Sequence, residues 1–280
     1  MQAVARAIID SYNAMDCILM NVGPFDLAAG PAFIDEIAKR ADFPLLSSNI
    51  RKEGDEELLF KTHLVKKMNG LKVGFIGVAT GNSKLQGFEF DDPVASVKPI
   101  AAELRPKVDL IVILANVDDK TELALARDVP EIDFLVRSGT GSLYRIPKVK
   151  NGAIVIRNSR QGKYAGVLTI KLTDPEVPLT NISQQMSRIG FADKRLTTMS
   201  RDLKEGETLE EKFKDNQSRL NVVSRLRKER EVNVKQISEF TNTYFFRAMQ
   251  LNDKIDDEPE VAEIVAEYMP KEKGKDPHKH

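Results

Sequence analysis

The sequence predicts a layered α/β domain, with helices packed on a mixed sheet, extended by a helical hairpin or coiled-coil segment. Three observations predict it. Short apolar runs of strand length alternate with amphipathic stretches through residue 175, the pattern of helices covering a sheet. One run, VDLIVILANV at 108–117, is almost wholly apolar, as a strand covered on both faces must be. Beyond residue 178, Ile182, Ile189, Leu196 and Leu203 recur at seven-residue spacing with Met186 and Met199 between them, which gives a helix one narrow apolar stripe.

The elements follow in order. AVARAIIDSYN at 3–13 reads as a helix with Val4, Ile8 and Ile9 apolar, MDCILMNV at 15–22 as a strand, and PAFIDEIAKRA at 31–41 as a helix with Phe33, Ile34 and Ile37 on one face. FPLLSSNI at 43–50 reads as a strand, and THLVKKMNGLKVGFIGVAT at 62–80 as a hairpin turning at Asn69-Gly70, a dipeptide that tolerates two positive φ angles. PVASVKPIAAELRP at 93–106 and KTELALARDV at 120–129 read as helices, and IDFLVRSG at 132–139 as a strand. GAIVIRNS at 152–159 and YAGVLTIKL at 164–172 read as a closing pair of alternating strands.

The heptad stripe breaks at Glu205-Gly206-Glu207, and Thr208 with Glu211 then forms a capping-box pattern opening a second, densely charged helix. Such a pair either buries its stripe in an antiparallel hairpin or offers it to a partner as a coiled-coil dimer or docking arm. TNTYFFRAMQL at 241–251 reads as a strand, and EPEVAEIVAEYM at 258–269 as a short helix with Pro259 near its start. The domain organisation expected is therefore an α/β domain over 1–175, a helical arm over 176–237, a strand and helix over 238–269 packing back on the domain, and a disordered charged tail over 270–280.

Composition narrows the function classes. The 42 basic residues cancel the 42 acidic ones, so no global field draws the chain to nucleic acid or anionic lipid. Cys17 stands alone, which excludes an internal disulfide, a c-type haem attachment and a cysteine-rich zinc site. No apolar run reaches membrane-spanning length, and the first residues lack the architecture of a signal peptide.

Chemistry-bearing residues are few. His63 is the only histidine before the tail, where His278 and His280 sit, so a histidine-based triad would have to be built on His63 alone. SGTGSLYR at 138–145 is glycine-rich and could cradle a phosphate through backbone amides, although it lacks the lysine and spacing of a Walker loop. SRLRKEREVNVK at 224–235 mixes charge signs at helical spacing and contains no aromatic residue to stack on a base.

The order of six segments carries a resemblance. YNAMDCILMNVGPFDLAAG at 12–30, ADFPLLSSNI at 41–50, KVGFIGVAT at 72–80, VDLIVILANVDD at 108–119, VPEIDFLVRSGTGS at 129–142 and RNSRQGKYAGVLTIKL at 157–172 occur here in turn. This order resembles the calcineurin-like metallophosphoesterases, within them the 5′-nucleotidase type. The resemblance implies a layered β-sandwich flanked by helices and a two-metal site for phosphoester hydrolysis. It also exposes that site as eroded.

Where the family has Gly-Asn-His-Glu, this chain has Asn21, Val22, Gly23 and Pro24, with Phe25 and Asp26 retained. The Asp reads as a cap for the following helix. The family's histidine after the apolar strand falls on Asn116, and both histidines of its Gly-His-Ser-His motif fall on Gly139 and Gly141. The family's opening Asp-x-His strand and Gly-Asp turn would lie before Met1, so the chain reads as an N-terminally shortened form of that domain.

Glycine and valine supply no side-chain donor to a hard divalent ion. The resulting expectation is a non-catalytic scaffold or binding protein with no catalytic residue, no metal ligand and no cofactor. Asn116, Arg137, Ser138, Thr140, Ser142 and Arg145 are expected together at the strand ends as a residual anion or nucleotide site. Two alternatives stay open: a manganese- or zinc-dependent phosphoesterase acting on nucleotides whose first strands lie outside this sequence, and an oligomeric structural protein using the heptad stripe.

A protein partner engaging 182–237, a homo-oligomer, no nucleic acid and no membrane span complete the expectation. The resemblance adds a periplasmic or cell-surface setting. It also adds a redox partner such as a multihaem cytochrome, because in some bacterial relatives a segment like TYFFRAMQLNDKIDDEPEVAEIVAEY leads into one.

Overall fold

The computed structural model describes residues 2–82, 85–139, 141–159 and 162–269, so the expectations for Thr140 and for the tail at 270–280 lie outside the described residues. The chain divides into two compact units, Met1–Ala165 with Gln250–His280, and Gly166–Met249.

The first unit runs α1 (Gln2–Ala14), β1 (Met20–Asn21), α2 (Pro31–Arg40), β2 (Leu45–Leu46), β3 (Ile50–Lys52), β4 (His63–Met68), β5 (Leu71–Ala79), β6 (Phe88–Phe90), α3 (Pro93–Leu104), β7 (Leu110–Asn116), α4 (Asp119–Asp128), β8 (Phe134–Arg137), β9 (Lys148–Lys150) and β10 (Ala153–Arg157). Six strands form one mixed sheet in the order β4-β5-β7-β8-β10-β9, and β1-β2 and β3-β6 form two small sheets. The β4–β5 hairpin turns at Asn69 and Gly70 with φ of 47° and 92°, the paired positive values that the Asn-Gly dipeptide accommodates.

Alternation along the strands sorts side chains between two cores. Ile76 and Val78 of β5, Ile111, Ile113 and Ala115 of β7, Leu135 of β8 and Val155 of β10 pack with Val97, Ala101 and Leu104 of α3 and Leu125 and Ala126 of α4. The opposite core gathers Ile9 of α1, Val22, Leu27, Phe33, Ile34 and Ile37 around α2, Leu45, Ile50, and Ala79 at the end of β5. Gly77 faces that side. A Cβ there would lie 2.6 Å from Asn21 Oδ1 and 2.8 Å from Leu46 Cβ, so glycine is what lets the β1-β2 pair approach the large sheet.

Two strand expectations are shortened. MDCILMNV forms only Met20–Asn21 as strand, because backbone bonds from Met15 and Cys17 back to Ser11 and Tyr12 finish the end of α1 and Asp16 takes a φ of 52°. FPLLSSNI splits into β2 and β3 at Ser47–Asn49. A third expectation is corrected: β10 pairs with β8 in parallel and β9 in antiparallel, whereas the strand after it joins a different sheet.

In the second unit β11 (Tyr164–Lys171), β12 (Thr180–Asn181), α5 (Ser183–Ser200), α6 (Leu209–Lys212), α7 (Gln217–Ser238) and β13 (Thr243–Gln250) follow. Their sheet has the order β11-β13-β12. Helices α5 and α7 pack against each other. Leu196, Met199 and Leu203 meet Leu209, Phe213, Leu220 and Val223, and the capping box of Thr208 and Glu211 opens α6. Asn242 is fully buried and ties Thr173, Asp174 and Val177 to the start of β13 through both ends of its amide.

The chain closes in the first unit with α8 (Pro259–Tyr268), which packs on α1. There Arg40 grips Asp10 with two hydrogen bonds of 2.5 and 2.6 Å and also meets the Tyr268 hydroxyl. Among the described residues no helix is long and apolar enough to cross a membrane.

Candidate functional site

Parallel strands β7 and β8 point their carboxyl ends the same way, and in open α/β sheets that edge is where ligands bind. Asn116 ends β7 on the face opposite Ala115, turned toward the β1 side. A Cβ placed on Gly23 would lie 2.7 Å from Asn116 Nδ2, and one placed on Gly139 would lie 3.4 Å from Asn116 Oδ1. Three positions far apart in sequence therefore meet around one amide side chain.

The surroundings are fixed by backbone bonds. Asn116 accepts from Thr80 N–H at 2.9 Å, and Ser138 N–H donates to Ala115 at 2.9 Å. Asn21 donates to the Val78 carbonyl at 3.2 Å, while its own Oδ1 is buried without a hydrogen-bond partner. Val22 is wholly buried in the core, and Pro24 is half-buried. Ser142 and Arg145 are exposed.

Asp26 does not cap α2 as its position suggested. The N-cap of α2 is Gly30 with Pro31 following, and Asp26 Oδ2 instead accepts from Gly23 N–H at 2.8 Å. Desolvation in the groove it shares with Ile8 and Phe33 raises its carboxyl above the usual carboxylate range, against the opposing pull of the Gly23 bond.

This donor set does not fit a pair of divalent ions. Positions 23, 139 and 141 are glycines, and the convergent side chains Asn21 and Asn116 are neutral amides. Among the described residues no group of three or more histidines, cysteines or carboxylates is placed to hold a metal. Hard two-metal centres need carboxylate and imidazole ligands in number. Gly139 also holds a φ of 93°, where an L side chain such as histidine costs about 1–2 kcal/mol.

Arg137 does not join Asn116. Alternation in β8 puts Arg137 on the face of Leu135, under α4. There it meets Arg157, its register partner on β10. Glu122, one turn into α4 and fully buried, accepts from Arg157 Nε at 2.7 Å and Nη2 at 2.8 Å, from Lys150 at 2.7 Å and from Arg137 at 3.2 Å. Asp119 bonds both arginines. Tyr144 lies against the Arg157 guanidinium, 4.7 Å from its ring centre.

Glu122, Arg157, Lys150 and Asp119 were not singled out by sequence reasoning. The available signal was the arginine ending both apolar strands, FLVR at 134–137 and IVIR at 154–157. Burial raises the Glu122 carboxyl, but the hydrogen bonds from Arg157, Lys150 and Arg137 outweigh it and hold the group below its ordinary range.

No protein-family model matches the chain. It is 29% identical over 135 residues to the uncharacterized metallophosphoesterase YunD of Bacillus subtilis, covering 46% of this chain and 29% of that one. It is 27% identical over 164 residues to the 5′-nucleotidase of Vibrio cholerae, covering 45% of this chain and 30% of that one. These relatives are named metallophosphoesterase and 5′-nucleotidase, so the chain is similar to the calcineurin-like metallophosphoesterases of the 5′-nucleotidase type.

The fold is similar to that of the solved NAD nucleotidase of Haemophilus influenzae, with a TM-score of 0.59 at 16% identity over 95% of this chain and 47% of that one. The matched regions are under a third of the length of YunD and of the Vibrio 5′-nucleotidase. Gly23, Asn116 and Gly139, which meet here, are three positions where the resemblance expects histidines.

Proposed function

We propose that this chain is a metallophosphoesterase-like scaffold or binding protein that does not hydrolyse phosphoesters. The observation that carries it is the packing of Asn116 against the bare backbone of Gly23 and Gly139. A two-metal phosphoesterase polarises phosphate, generates hydroxide and stabilises the leaving oxygen through its ions. Two amide side chains and glycine backbone offer no means of holding that pair. The α5 and α7 arm, where Phe191, Val232 and Val234 remain exposed, is the surface we assign to a protein partner.

A second reading is favoured by the names of the relatives, which are phosphoesterases and nucleotidases: a metal-dependent phosphoesterase acting on nucleotides. One assay separates the two. The purified chain is incubated with AMP in manganese, and phosphate release is compared with manganese in buffer. The scaffold reading expects the two rates to coincide; enzyme-proportional release abolished by EDTA would establish the second.

A further inference from the structure

We propose that the arginine pair under α4 is an oxyanion site that Asp119 occupies as an internal stand-in, and that phosphate takes its place. This site lies on the sheet face opposite Asn116 and needs no metal.

The geometry comes from register. Arg137 and Arg157 are paired residues at the last positions of adjacent parallel strands, so their side chains leave the sheet on one face and at one edge. Both guanidinium groups reach a single carboxylate oxygen, Asp119 Oδ1, with Arg157 Nη2 at 2.6 Å. Two guanidinium N–H groups aimed at one oxygen is an arrangement that tetrahedral oxyanions accept.

Charge points the same way. Arg137, Lys150 and Arg157 face Glu122 and Asp119, so three cations meet two carboxylates in direct ion pairs. Lys148 adds a further cation 4.3 Å from the Tyr144 ring centre. A phosphate dianion in place of the single charge of Asp119 would match the three cations of the direct ion pairs more closely, with Glu122 retained.

Accessibility makes the exchange possible. Glu122 is 0% exposed and Arg137 3%, while the Asp119 side chain is 78% exposed. The arginines are thus held by an inner carboxylate that cannot leave and an outer one that rehydrates as it turns away. Asp119 also sits at the first turn of α4, where Asp118 caps Thr121 N–H, so an anion there gains from the positive end of that helix.

The test titrates inorganic phosphate at constant ionic strength into the wild-type chain, into Asp119→Asn and into Asp119→Asn with Arg157→Lys, using calorimetry. Asp119→Asn removes the competing charge, so its affinity for phosphate is expected to rise at least tenfold over wild type. Arg157→Lys keeps the charge beside Glu122 but loses the fork, and is expected to reverse that gain. Should the double variant fail to fold, the single variant still decides: phosphate, and not chloride, is expected to raise its unfolding midpoint more than that of wild type. An Asp119→Asn chain that binds phosphate no better than wild type overturns the proposal, as does a folded double variant that keeps the tenfold gain.

Discussion

Glu122→Ala is expected to lower stability by about 3–5 kcal/mol, the loss that follows when one partner of a buried ion pair is removed. The magnitude rests on what is left behind. Glu122 is fully buried and is bonded by Arg137, Lys150 and Arg157. Without it, two nearly buried guanidinium groups lose the carboxylate they share inside the fold, and Asp119, whose carboxylate is exposed, interacts through water. Urea unfolding at neutral pH measures the difference.

The same variant carries a pH signature. The Glu122 carboxyl is held below its ordinary range by Arg157, Lys150 and Arg137 acting against burial. A carboxyl depressed in the folded state contributes stability that is present above its unfolded value, about 4.3, and is lost as pH falls through the folded value. The gap between wild type and Glu122→Ala is therefore expected to shrink toward pH 3. A gap that stays constant under acid, or that is below about 1 kcal/mol at neutral pH, would mean that the cluster contributes nothing through its charge.

Asn49→Ala is expected to cost about 2–4 kcal/mol, because an unsatisfied buried amide or carbonyl forfeits about 1–3 kcal/mol. Asn49 is wholly buried, donates to the carbonyls of Ala79 at 2.7 Å and Asp91 at 3.0 Å, and accepts from Ala79 N–H at 3.1 Å. It ties the segment between β2 and β3 to the end of β5, beside the Thr80 to Asn116 bond. Hydrogen exchange at Ala79 should accelerate along with the drop in urea midpoint. Unchanged protection there would show that other groups hold the end of β5.

Much of this fold was legible in residues. VDLIVILANV could only be an interior strand, and it lies third in the order of the six-stranded sheet; Asn69-Gly70 could hardly be anything but a hairpin turn. The pairing of β10 was not legible, because alternation says that a strand has a covered face but not which neighbour it joins. The face of Arg137 was readable and was missed: Leu135 and Arg137 are two apart, so a buried Leu135 carries Arg137 to the same side.

Glu122 was hidden for a different reason. Its partners lie 15, 28 and 35 residues away, and a charged residue in a helix reads as solvated until those partners are seen. The convergence of Gly23, Asn116 and Gly139 came through the resemblance rather than periodicity. The structure adds that Asn116 fills the space against Gly23 that a side chain would require.

The central claim, that this site cannot hold a two-metal centre, meets its most direct test in metal content. The purified chain is dialysed against manganese and zinc, freed of loosely held ions and measured by plasma mass spectrometry. The account predicts that no metal is retained in proportion to protein. Two tightly bound ions per chain, the stoichiometry of a two-metal phosphoesterase, would contradict it.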